Sequence, residues 1–124
     1  MVDFKNAAFL KLKPVDNRTY AADIQPMFVN GESIIGSYKS IRDGVVFTNK
    51  RIFVINVQGL TGKKVDYSSL PYSKIQAFSV ETAGVIYLDS ELELWFSGLG
   101  RVKLEFVSSA NVAEICKMIS DLVL

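Results

Sequence analysis

The chain has 124 residues, enough for one domain that buries about two-thirds of its unfolded surface without a disulfide or metal staple. Fourteen Lys and Arg stand against thirteen Asp and Glu, a net charge of +1, which excludes the basic stripe of a nucleic-acid binder. No histidine and a single cysteine remove His-based triads, His-ligated zinc, an internal disulfide and any Cys-rich metal site.

The first 33 residues differ from the rest. Their opening stretch lacks an apolar run long enough for a signal peptide, and no segment approaches the roughly 20 apolar residues of a membrane span. The expectation is a cytoplasmic protein. Tyr20, Ile24, Met27 and Phe28 fall on one helical stripe, Asp16 or Asn17 can cap its start, and Pro26 should break or kink it. This predicts an N-terminal helical segment over residues 1–30, ending near Asn30-Gly31, ahead of a second unit over 31–124.

From Ile34 the pattern is strand after strand. IIGSYKSIR is β-rich, Asp43-Gly44 marks a tight hairpin, and VVFT and RIFVINV follow across Asn49-Lys50. QGLTGKK separates RIFVINV from the weaker strand KKVDYSSL. PYSK is a connection, IQAFSVET a strand and AGVIYLDSE a longer loop. ELELWFS and RVKLEF alternate apolar and polar positions cleanly, with Gly98-Leu99-Gly100 as the turn, so they are half-buried antiparallel strands. Asn111 with Glu114 forms a capping box for a terminal helix whose buried stripe is Val112, Ile115, Ile119 and Leu122. The expected fold is mainly β, seven antiparallel strands capped by a C-terminal helix.

Local sequence carries a resemblance. Gly31-Glu32, the run Ile41-Arg42-Asp43-Gly44-Val45-Val46-Phe47-Thr48-Asn49-Lys50-Arg51, Gln58 to Lys64, Leu70-Pro71-Tyr72, Glu81 to Gly84 and Leu88 to Trp95 occur in the order and spacing of the bacterial pleckstrin-homology (PH) domain family. The chain resembles that family over about residues 30 to 124, while Pro26 falls where the family tends to run a helix. The resemblance implies a partly open barrel closed at one end by the C-terminal helix, and homo-oligomers, often ring-shaped. It implies no activity.

Three features are candidate sites. QGLTGKK is too short between its glycines for a P-loop, has Lys64 where Ser or Thr should stand, and runs into a strand rather than a helix. It is a turn, with Gly59 and Gly62 supplying positive φ. In a PH-type barrel three loops gather at the open end, which would bring Arg42, Lys63 with Lys64, and Arg101 with Lys103 to one rim able to attract an anion or a lipid surface. The basic array of a specific phosphoinositide site is absent. Trp95 alternates outward between Leu94 and Phe96, as an interface anchor would, unless the N-terminal segment folds over it. RIFVINV is apolar on both faces, so Phe53 and Ile55 must meet either the N-terminal helix or a neighbouring subunit.

For enzymes the search is negative. Glu91 and Glu93 share one outer strand face with no cleft between them, Ser73 and Lys74 point apart, and Cys116 lies at the edge of an apolar stripe. No cofactor or metal is implied. The expected function is non-enzymatic assembly: the chain partners itself, and offers a surface to another protein. The alternative is a peripheral membrane or anionic-ligand module using the basic rim.

Overall fold

Eight strands and two helices follow one another in a computed structural model that describes residues 1–5, 9–84 and 89–124. They are β1 (Phe9–Val15), α1 (Arg18–Ile24) continued by a 3-10 turn (Gln25–Met27), β2 (Ile34–Lys39), β3 (Gly44–Thr48), β4 (Arg51–Gln58) and β5 (Lys64–Pro71). A second 3-10 turn (Tyr72–Lys74) leads to β6 (Ile75–Glu81), β7 (Ser90–Phe96), β8 (Gly100–Phe106) and α2 (Val112–Val123). The strands form one sheet in the order β5-β4-β3-β2-β1-β8-β7-β6. Residues 85–88 of the expected loop lie outside the described residues.

The sheet has eight strands where seven were expected. The extra one is β1, inside the segment expected to be helical, so that segment is a strand followed by a helix. β1 is also the hinge between the two halves of the sheet: Lys13, Pro14 and Val15 pair antiparallel with Lys39, Tyr38 and Ser37, while Phe9 and Leu12 pair parallel with Leu104 and Phe106. A bulge interrupts the pairing with β8 between Phe9 and Leu12, and Lys11 within it has φ +59°, unusual for a residue with a Cβ. A bulged strand bends, which lets one strand serve both halves.

Alternation then fills the inside. Val45, Phe47, Ile52, Val54, Leu70, Leu92, Leu94, Val102, Leu104 and Phe106 are all 2% exposed or less and belong to one cluster. Helix α2 closes it with Ile115 and Ile119 against the β6 and β7 side, and Asn111 caps it as expected, the Glu114 N–H donating to Asn111 Oδ1 at 3.2 Å, which is one of the two bonds of a capping box. Tyr38 stands edge-on to both Phe47 and Phe106, joining the halves across β1.

The helix α1 begins where Asp16 accepts from the Arg18 N–H at 2.8 Å, and Pro26 ends it by turning the chain into 3-10 geometry rather than breaking it outright. The first hairpin differs from expectation. Its turn is Ser40–Asp43, closed by the Ser40 N–H on the Asp43 carbonyl, and Gly44 lies inside β3. Gly44 is needed for space: a Cβ there would stand 2.4 Å from the Tyr20 ring.

Candidate interaction surfaces

Strand β4 has two buried faces. Ile52 and Val54 point into the barrel, while Phe53 and Ile55 point outward and are still 0% and 2% exposed. Ile24 of α1 and Val46 of β3 complete this outer cluster, with Tyr20, Phe28, Ile34, Val65 and Tyr67 around it. Phe28 stacks on Phe53 with ring centres 6.1 Å apart. Of the two covers named for this face, the N-terminal helix is the one found. Phe53 and Ile55, expected as oligomer-interface residues, are therefore buried within the chain, under Tyr20 and Ile24 of α1 and Phe28 beyond it.

A polar latch holds that cover down. Glu32, whose side chain is 0% exposed, accepts from Arg51 Nε at 2.9 Å and Nη2 at 2.8 Å, from the Thr48 hydroxyl at 2.7 Å and from the Val29 N–H at 3.0 Å. Arg51 Nη2 also donates to the Met27 carbonyl, and its guanidinium lies 4.3 Å from the Phe53 ring centre. The Tyr72 hydroxyl donates to the Thr48 carbonyl at 2.7 Å; burial, and then the Glu32 charge, push its pKa up. Burial also pushes the Glu32 carboxyl up. The hydrogen bonds from Arg51, Thr48 and Val29, with the Arg51 charge, outweigh that and hold it at about 2. Sequence alone missed this latch, since Glu and Arg are ordinarily surface residues.

On the other side of the sheet the outer face is open. Trp95 is 47% exposed, facing outward from β7 as alternation predicted. It pairs across the sheet with Arg101, and Glu93 with Lys103. The charges bond diagonally: Arg101 Nε lies 2.9 Å from Glu93, and Lys103 3.9 Å from Glu91. A groove of about 510 Å³ runs along this face between β7, β8 and the N-terminal residues. Phe4, Leu10, Trp95 and Leu99 supply its apolar walls, with Leu10 54% exposed, and Lys5, Arg101, Lys103, Glu91 and Glu105 its charges. The N-terminal residues thus flank Trp95 without burying it.

The expected cationic rim is only partly assembled. Arg42 Nη2 donates to the Gly59 carbonyl at 2.6 Å, which places the β2–β3 turn against the QGLTGKK loop that carries Lys63 and Lys64. That loop is a turn, with Gly59 and Gly62 at φ +75° and +66°. Arg101 belongs instead to the Trp95 face, committed to Glu93. Among the described residues no group of three His, Cys, Asp or Glu side chains gathers to hold a metal, and no helix is long and apolar enough to cross a membrane.

Comparison with known proteins agrees with this architecture. A family model described as "Bacterial PH domain" matches residues 3–123. The uncharacterized Bacillus subtilis (strain 168) proteins YjqA and YozO are 40% and 33% identical, over 79% and 82% of this chain and 80% and 87% of theirs. A crystal structure of a DUF1696 family protein with a pleckstrin-homology domain from Shewanella loihica PV-4 superposes with a TM-score of 0.83 at 40% identity, covering 93% of this chain and 99% of that one. The pleckstrin homology domain of Shewanella amazonensis SB2B gives 0.69 at 42% identity, covering 89% and 90%. On the match across nearly its whole length and on these relatives, the chain belongs to the bacterial PH domain family.

Proposed function

We propose that the chain is a non-enzymatic assembly module that self-associates through the outer face of β7 and β8, with Trp95 as the anchor, and presents the resulting particle to another macromolecule. The observation that carries this is the half-exposed Trp95 beside an exposed Leu10 in a groove whose charges are of both signs. A large aromatic left part-solvated gains most when a partner desolvates it. Glu91, Glu93 and Glu105 share the face with Lys5, Arg101 and Lys103, so a second copy brings complements for both signs.

The test is the mass of the purified protein by light scattering behind a sizing column, at two salt concentrations. A particle several times 13.8 kDa is expected, shifting to smaller mass with Trp95→Ala. A monomer at every concentration overturns the reading. The alternative, an anionic ligand at the basic rim, retains Arg42, Lys63 and Lys64 but has Arg101 tied to Glu93 on another face.

A further inference from the structure

Among the described residues the sheet does not close on itself. Its order begins at β5 and ends at β6, so each of these strands has a neighbour on one side only. An edge strand turns alternate backbone N–H and C=O groups away from the sheet, and folded chains blunt such an edge with Lys, Pro or a covering segment. β5 is blunted in these ways: Lys64 begins it, Pro71 ends it, and Met1 and Val2 are bonded to its Asp66 and Ser68. β6, with the sequence IQAFSVE, holds neither Lys nor Pro. Its register with β7 is irregular only between Ile75 and Ala77. No hydrogen bond from residues 76–81 to a neighbour other than β7 is found among the described residues.

The register across β6, β7 and β8 sets out the outer face as three rows. Ala77, Trp95 and Arg101 form one, Ser79, Glu93 and Lys103 the next, and Glu81, Glu91 and Glu105 the last. Like charges directly opposite one another cost stability, and the last row makes that contact twice. Nearby cations answer it only in part. Lys103 lies 3.9 Å from Glu91, Lys11 is bonded to Asp89, and Glu81 and Glu105 have no ion pair among the described residues. An acidic row within a sheet is ordinarily a solvated surface. This one runs out to Glu81, on the strand whose edge is open. The inward side of β6 is unfinished too: Phe78 and Val80 pack on the core yet stay partly exposed, as do Met118 and Leu122 of α2, the helix that packs against β6. A strand laid along β6 would extend each row by one residue. Opposite Glu81 it meets a line of three carboxylates, which favours Lys or Arg and rejects Asp or Glu, while its alternate positions face the apolar side. We infer that β6 takes a ninth strand from a partner chain: an extended segment with basic side chains on one face and apolar side chains on the other, held by main-chain bonds and selected by the glutamate row. A second copy's β6 carries one acid and no base, the wrong charge for this row. The inference rests on the assembly reading only for the role of another macromolecule, whose class it names. β6 lies outside the β7–β8 face, so the two are tested separately.

The full chain is titrated with a fluorescein-labelled peptide of about eight residues that alternates Val with Lys. Fluorescence anisotropy should show saturable binding that weakens as salt rises. Amide hydrogen exchange should slow at the alternate residues of β6 whose N–H groups face the open edge. The peptide with Glu in place of Lys should bind about tenfold more weakly or worse, and so should a Val/Lys peptide methylated at its backbone nitrogens, which keeps the charge but cannot donate to a strand edge. Glu81→Lys, at an exposed site, should weaken the Val/Lys peptide about fivefold and tighten the Val/Glu peptide, with the circular dichroism spectrum unchanged. The proposal is overturned if the Val/Lys peptide does not bind, if either control peptide binds equally, if Glu81→Lys leaves both affinities unchanged, or if binding leaves β6 exchange as fast as before. Edge amides of β6 already protected in the peptide-free particle would mean that a second copy occupies the edge, which also overturns it. A monomer that binds the Val/Lys peptide overturns self-association and supports strand addition; a particle of many copies that ignores the peptide does the reverse.

Discussion

The outer faces of β4 and β7 begin from similar chemistry and end differently. Each presents aromatic surface away from the barrel interior. On β4, Phe53 is fully covered by α1 and Phe28, and the cover is pinned by the Glu32–Arg51 pair. On β7, Trp95 shares an open groove with Phe4, Leu10 and Leu99 and stays half in water. The difference lies in what the chain supplies nearby. Tyr20, Ile24 and Phe28 form a stripe that fits β4, and the loop carrying Glu32 reaches Arg51. Beside β7, Phe4, Lys5 and Leu10 form walls of the groove and leave Trp95 47% exposed. An aromatic residue facing outward is thus a stability element on one side of this molecule and a candidate contact on the other.

Truncation separates the two most sharply. Phe53→Ala removes a fully buried ring and should cost about 4 kcal/mol, read as a lower urea midpoint. Arg51→Ala comes next, at about 3 kcal/mol, because it strands a buried carboxylate and frees the Met27–Glu32 segment. Glu32→Gln should cost less than that, since its amide oxygen still accepts on one side, although its NH2 then faces donating groups and the charge is lost. Gly44→Ala tests the cover from beneath: a Cβ 2.4 Å from the Tyr20 ring must push α1 away, for about 2 kcal/mol.

The same latch predicts an acid dependence. The Glu32 carboxyl is held at about 2, below its ordinary value of 4.5, so the folded state binds its proton less readily than the unfolded state. Its contribution is fully present above about pH 4.5 and is lost as pH falls towards 2. Urea midpoints measured down that range should fall more for wild type than for Glu32→Gln. Equal slopes in the two proteins would show that the latch does not drive the acid response.

Much of this architecture was legible because of simple periods. β7 and β8 alternate strictly, and their buried positions are those the alternation names. The Asn111 cap was equally direct, while of the expected α2 stripe Ile115 and Ile119 are buried and Val112 and Leu122 are only half-buried. β1 was not legible, for a physical reason. Its bulge at Lys11 puts the two buried residues, Phe9 and Leu12, three apart, which is a helical spacing in a segment that also contains Pro14. Trp95 was found because alternation sets the direction of a side chain. Phe53 and Ile55 were placed on the correct face, but what covers that face depends on a tertiary contact with α1, which no local pattern carries. Arg101 was assigned to the rim by its position in a turn, whereas its diagonal partner Glu93 decides where the charge goes.

The smallest effect on stability should belong to the residue with the largest effect on assembly. Trp95→Ala removes a side chain that is 47% exposed, so its cost to folding should be under about 1 kcal/mol. Arg101 and Glu93 remain bonded without it, leaving the strand pairing intact. A self-association surface centred on Trp95 demands the opposite ranking in particle mass: Trp95→Ala should dissociate copies at concentrations where the melt is unchanged. Phe53→Ala should retain the wild-type mass under conditions where it is still folded. If Trp95→Ala instead lowers the urea midpoint as much as Phe53→Ala does, with the mass constant, then the N-terminal residues close over the indole in solution. The β7 face would then be a second covered face like that of β4, and the contrast between the two would disappear.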